Sequence, residues 1–280
     1  MQVIRKLRRQ HCFNLFPLSI VYPELAFIGL FAYGLSLYLI YKSPRYHNAF
    51  GILYFAYVLF HIQTISALLV WTIVRITVYM GLISFPWHIF SRILSPLANS
   101  TLFTAIWMQL VLAINRLWAI SRPTTYDRVF SPKNARIIVV SLWLSSILIT
   151  AFYYNVECGH YIEADDYSWS TLFGPCKHSF LVYIAMFLSN GILLTVLIVD
   201  AVAFYQKKRQ RANSTQQRLG QELLFFKETC VTTVIYVFCV IISHIEIPMS
   251  RLTKIMYVWL AIHTLDGLTF VFYNRHTLKK

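Results

Sequence analysis

The sequence predicts an all-α membrane protein, folded as a seven-transmembrane helix bundle. Composition is the first observation: 58% of the 280 residues are hydrophobic and only 13% are charged, whereas a soluble domain carries about 25% charged residues. The second is that the apolar residues fall into seven segments of about the 20 residues that a helix needs to cross a bilayer. The third is an uneven distribution of basic residues among the loops. Together these observations exclude a soluble enzyme.

Each span is located by its long apolar run, which contains few or no charged residues. The first carries Glu24 near its outer end, the second has no formal charge, and the third is uncharged until Arg116. The fifth is uncharged until Asp200, which we place at the membrane interface, and the seventh contains Asp266. The predicted spans are about 18–41, 49–74, 93–116, 137–156, 178–205, 223–247 and 252–274.

The stretch 76–91, between spans two and three, is uncharged but is too short and too broken by Gly81 and Pro86 to cross a bilayer. We predict an interfacial loop whose Tyr79 and Trp87 lie at the level of the headgroups. In the alternative register, the second helix shifts into this stretch.

Lys and Arg orient the bundle, because cytoplasmic loops carry an excess of them. They concentrate after spans one, three and five and in the tail, whereas the loop between spans four and five is acidic. We therefore predict an external N-terminus and an internal C-terminus, and the net charge of +14 needs no nucleic-acid partner. Four basic residues before span one oppose this orientation, so either the natural start lies elsewhere or later helices set the topology: Arg5, Lys6, Arg8 and Arg9.

Two cysteines, Cys158 and Cys176, lie in the acidic external loop. That compartment is oxidising, so we predict a disulfide bond between them. Cys12 is an alternative partner for either.

One motif closes span three: Asn115-Arg116-Leu117-Trp118-Ala119-Ile120-Ser121-Arg122-Pro123-Thr124-Thr125-Tyr126. It resembles the pattern that rhodopsin-like G-protein-coupled receptors carry at this place, and the matching positions are Arg116, Ala119, Ile120, Pro123 and Tyr126. The resemblance implies contact with a heterotrimeric G protein α subunit through Asn115, Arg116, Ile120, Pro123, Tyr126 and Phe130. The alternative is that Arg116 only anchors the helix end at the membrane boundary.

Asn115, where an acidic residue is usual, is similar to the nematode serpentine chemoreceptors of class X. Three further places agree with that class: Phe50-Gly51 at the start of span two, Phe225-Phe226-Lys227-Glu228 before span six, and Asp266-Gly267 with Tyr273-Asn274 in span seven. The chain departs from rhodopsin-like receptors in having no Cys between Cys12 and Cys158 and no Asp before Asp127.

Polar residues within spans are costly and default to function. We predict that Asp266 is an inner switch group, accepting hydrogen bonds from span two or from Asn115; a protonated, structural carboxyl is the alternative. Five residues are candidates for a ligand pocket, with interfacial solvation, packing or lipid contact as the alternative: Trp107, Gln109, His244, Glu246 and His263. We place His244, Glu246 and His263 near the outer ends of spans six and seven.

The resemblance implies a G-protein-coupled chemosensory receptor in the plasma or ciliary membrane. It would bind an external small molecule or peptide, and its other contacts would be membrane lipids. We expect no enzymatic activity, cofactor or metal site. The alternatives are a transporter or channel for a small solute, and a receptor-like protein that is no longer coupled.

Overall fold

The computed structural model describes residues 2–79, 82, 87–155, 160–162, 169–171, 180–212, 231–235, 238 and 251–274. Long helices dominate this part of the chain. In order, the elements are α1 (Gln2–Lys42), a 3-10 turn (Pro44–Tyr46), α2 (Ala49–Tyr79), α3 (Trp87–Ser121), α4 (Pro123–Val129), α5 (Pro132–Asn155), β1 (His160–Ile162), β2 (Trp169–Thr171), α6 (Phe180–Ala212) and α7 (Arg251–Asn274).

The predicted all-α membrane fold is confirmed. Within the described residues, five helices have segments long and apolar enough to cross a membrane: Tyr22–Lys42, Ala49–Val74, Ile93–Ser121, Pro132–Phe152 and Asn190–Arg209. They coincide with the first five predicted spans, and α7 coincides with the seventh. Of the sixth span, the structure describes residues 231–235, which are helical, and 238.

The connection between α2 and α3 is shorter than predicted. Helix α2 continues to Tyr79 and α3 begins at Trp87, so much of the stretch assigned to an interfacial loop is helical. The predicted loop over 76–91 was too long at both ends, because its first residues extend α2 and its last residues begin α3. Between these helices the structure describes residue 82 alone, which is not helical.

Helix α2 begins with a cap and a close backbone contact. The side-chain Oδ1 of Asn48 accepts a hydrogen bond from the Gly51 N–H at 3.0 Å, which satisfies one of the free donors of the first turn. A Cβ atom on Gly51 would lie 1.7 Å from the carbonyl oxygen of Tyr46. Only glycine therefore lets α2 pack against the turn Pro44–Tyr46.

Helix α3 is central, since it contacts α2, α5 and α6, while α7 packs mainly on α1. The most hydrophobic stretch of α2 is 67% buried within the bundle, but that of α5 is only 17% buried. Large apolar side chains of α5 are exposed, as expected of a helix that borders lipid, including Ile137, Val140, Leu148 and Phe152.

The two short strands form an antiparallel hairpin in which His160 pairs with Thr171. Strand β1 contacts α3 and strand β2 contacts α7. The hairpin follows α5, whose first residue lies near the opposite end of the bundle. We call that opposite end, where α1 and α3 finish at Lys42 and Ser121, the basic end.

Candidate functional site

A buried ion pair joins α3 to α6 near the basic end. Nη2 of Arg116 donates to Oδ1 of Asp200 at 2.8 Å, and the two side chains are only 7% and 3% exposed. The hydroxyl of Thr233 donates to the other carboxylate oxygen at 3.4 Å. Asp200, predicted at the membrane interface, is buried between α3 and α6, and α6 continues twelve residues beyond it.

The ion pair leaves part of the guanidinium without a partner. A guanidinium has five N–H donors, yet Nε and Nη1 of Arg116 are buried and have no hydrogen-bond partner among the described residues. Removing one member of such a buried pair typically costs about 3–5 kcal/mol, because it leaves the other charge uncompensated.

Asp266, on α7, is the centre of a second polar cluster. Its Oδ2 accepts hydrogen bonds from the hydroxyls of Tyr33, on α1, at 2.9 Å and of Tyr57, on α2, at 3.1 Å. Thr232, in the helical segment 231–235, lines the same space as this carboxyl group. Asp266 thus bonds to span two, as one of the predicted alternatives has it, and additionally to span one.

Gln109 extends this cluster to α3. Its side-chain amide donates to the Tyr57 hydroxyl at 3.0 Å, and the residue is buried. Within the described residues, Gln109 therefore belongs to the Asp266 cluster. Trp107, two residues away, packs instead against the apolar cluster between α3 and α6: Ile106, Ala113, Ile192 and Val196.

A cavity of about 20 Å³ lies between the two clusters. We call it the inner cavity. Its polar lining comes from both clusters, and Leu112 and Val196 contribute apolar surface. The lining residues with polar groups are Tyr54, Tyr57, Gln109, Arg116, Thr232, Thr233 and Asp266.

Two histidines meet farther from the basic end. Nδ1 of His61, on α2, lies 2.6 Å from Nδ1 of His263, on α7, and both side chains are fully buried. The His61 ring also contacts the edge of Tyr57 at 4.2 Å between centroids, and Trp259 lies 6.1 Å from His263. His263 is thus in the middle of α7, so its predicted place near the outer end was wrong.

The stretch after Arg116 folds back onto α3. The Asn115 amide donates to the Tyr126 hydroxyl at 3.1 Å, and the Tyr126 ring stacks on the buried Phe130. Pro123 is the first residue of α4 and is exposed, whereas Ile120 is half-buried. Asn115 therefore bonds to Tyr126 and not, as the other alternative had it, to Asp266.

The remaining predicted site residues lie outside the described residues: Cys158, Cys176, His244 and Glu246. The disulfide bond between Cys158 and Cys176 stays a prediction. The switch role of Asp266 also stays a prediction, as does the ligand role of the five pocket candidates: Trp107, Gln109, His244, Glu246 and His263.

Sequence reasoning did not single out Tyr33, Tyr57, His61, Thr232 or Thr233. Tyrosine and threonine are common in apolar helices, so single residues of this kind carry little signal. Asp200 did carry a signal, because burying its carboxylate in a membrane-spanning helix is as costly as burying that of Asp266.

The family described as "Serpentine type 7TM GPCR chemoreceptor Srx" matches the chain over residues 24–274. The match covers every described helix apart from the first part of α1. No curated protein matches the chain significantly.

Proposed function

The chain belongs to the serpentine 7TM GPCR chemoreceptor family Srx, and from that membership we propose that it detects an external small molecule or peptide and couples to a heterotrimeric G protein. The family is a class of receptors rather than of enzymes. The N-terminus is external in this proposal, and the basic end faces the cytoplasm.

The observation that carries the proposal is the buried Arg116–Asp200 pair. The family resemblance assigns Arg116 to the G protein, yet the side chain is 7% exposed and held by α6. A partner reaches it only after α3 and α6 separate at the basic end. The structure therefore supports a resting packing in which the ion pair with Asp200 keeps Arg116 out of reach of the G protein.

A second contact holds the same two helices together. The Ser121 hydroxyl donates to the side-chain oxygen of Gln206 on α6. This exposed bond lies about one and a half turns beyond the ion pair on each helix, so a movement of α6 that frees Arg116 also breaks it.

Ligand binding shifts the equilibrium between two packings only by its differential affinity for them. The ligand enters from the end covered by the β1–β2 hairpin. It favours the packing in which α6 has moved, and the exposed residues Pro123 and Thr124 at the start of α4 flank the G protein.

The test is a ligand screen in a heterologous cell with a G-protein readout. Arg116→Ala abolishes the response, and Asp200→Asn raises the ligand-independent signal several-fold because the neutral amide holds Arg116 less tightly. Asp127→Asn is the matched control: Asp127 is an exposed residue of α4, so the same change there leaves the signal unaltered.

Two outcomes contradict the proposal. Signalling that survives Arg116→Ala, with surface expression unchanged, removes Arg116 from the coupling site. Solute flux without any G-protein response favours the transporter or channel alternative.

A further inference from the structure

We propose that the inner cavity binds one water molecule, which joins the guanidinium of Arg116 to the carboxyl group of Asp266. The volume of about 20 Å³ fits this occupant, because one water needs roughly 10–15 Å³ of such space.

The donors come from Arg116. Its Nε and Nη1 atoms are buried without a partner among the described residues, and the residue lines the cavity. A buried donor left without a partner is costly, and a water oxygen accepts from one or both of these atoms.

The acceptors come from the opposite wall. A carboxylate has about four lone-pair sites, and the two tyrosine hydroxyls both bond to Oδ2 of Asp266. Thr232, Thr233 and Gln109 also line the cavity, and each carries a polar group that can bond to water. These groups give a buried water the two to four partners that it typically has.

The charges around the cavity favour a neutral molecule over an ion. A cation would meet the guanidinium, and an anion would meet the carboxyl group of Asp266. Water donates to one and accepts from the other, so it complements both walls.

The bound water makes one network out of two clusters. The network then includes residues of α1, α2, α3, the segment 231–235, α6 and α7. Asp266 becomes a positioning residue for Arg116. That last consequence rests on the proposed function, but the water itself does not.

The direct test is a ligand-free cryo-EM structure of the full chain, bound to an antibody fragment, at a resolution that shows ordered waters. We expect a density peak within about 2.7–3.2 Å of Arg116 Nε or Nη1 and of an Asp266 oxygen. A cavity without density overturns the proposal, as does a peak with the short, multiple oxygen contacts of a metal ion. Neither result depends on G-protein coupling.

A double-mutant cycle tests the link in solution. Arg116→Lys keeps a cation for Asp200 but removes the fork of donors that reaches the water, and Asp266→Asn weakens the acceptor. We expect the loss in Tm of the double variant to be smaller than the sum of the single losses by about 2–4 °C.

The control cycle pairs Arg116→Lys with Ser146→Ala. Ser146 is buried on α5 and does not line the cavity, so those two losses add. Additive losses for Arg116→Lys and Asp266→Asn overturn the proposal, and the cryo-EM test stands if either variant fails to fold.

Discussion

Asp266 is tolerated in an apolar bundle because phenolic hydroxyls surround it. Tyr33 and Tyr57 both donate to its Oδ2, and each tyrosine also buries an aromatic ring that packs in the core. A tyrosine supplies a donor at its tip without adding charge, so the carboxyl group gains two hydrogen bonds while the helices stay apolar where they meet.

The histidine pair gives a prediction at the scale of single residues. In His61→Phe, Nδ1 of His263 loses its partner in a fully buried site. A buried polar atom left in this way costs about 1–3 kcal/mol. We expect a lower Tm of the purified receptor in a thermal-shift assay.

The double variant His61→Phe with His263→Phe is expected to lose less than the sum of the two single variants, because no orphaned nitrogen remains. His47→Phe is the matched control, since His47 is exposed and its ring bonds only to a backbone oxygen in the described contacts. A Tm of His61→Phe equal to that of His47→Phe would contradict the importance of the pair.

At the residue scale, the sequence could locate Asp266 but not its partners. A carboxylate in an apolar run stands out because of its cost, whereas Tyr33 is separated from it by 233 positions. The sequence likewise marked Asp200 as a carboxylate in a long helix but did not show that it pairs with Arg116. Pairing of distant side chains depends on helix rotation, which the periodicity of an almost wholly apolar segment does not define.

At the scale of elements, the start of α2 depends on one glycine. In Gly51→Ala, the added Cβ would lie 1.7 Å from the carbonyl oxygen of Tyr46 and 2.5 Å from its carbonyl carbon. Both atoms belong to the backbone, so no side-chain rotation relieves the clash. We expect most of the protein to fail to reach the cell surface, as measured by surface labelling.

Gly34→Ala, on α1, is the control for this prediction. A Cβ at Gly34 meets nothing within 4 Å, and alanine favours a helix by about 1 kcal/mol over glycine. We expect its surface level to match or exceed the wild type. Normal surface expression of Gly51→Ala would show that the turn Pro44–Tyr46 can move away.

Hydrophobic run length predicted the existence of the helices better than their ends. The first five spans and the seventh were found, yet α1 begins at Gln2, α2 ends at Tyr79 and α6 ends at Ala212. The bilayer limits only the apolar part of a helix. Polar extensions continue in water, where local propensity and capping decide the end.

For the whole molecule, the distribution of basic residues predicts orientation. Arg122, Arg128 and Lys208 all lie at the basic end and are exposed, which favours the cytoplasmic side. We expect an epitope tag at the C-terminus to react with antibody only after permeabilisation, and one at the N-terminus to react in intact cells. A C-terminal tag that is accessible in intact cells would overturn the orientation and with it the coupling proposal.

The packing of the bundle also determines how many substitutions each helix tolerates. On α2 and α3, most side chains touch other helices, so a change of shape disturbs a neighbour. On α5, only 17% of the most hydrophobic stretch is buried, so we expect most of its positions to border lipid, where any apolar residue of similar helix propensity is accepted. In a saturation mutagenesis library, we expect the fourth span to accept nearly every exchange of one hydrophobic residue for another and to reject charged residues. The main constraint on its sequence is then an apolar stretch as long as the membrane is thick.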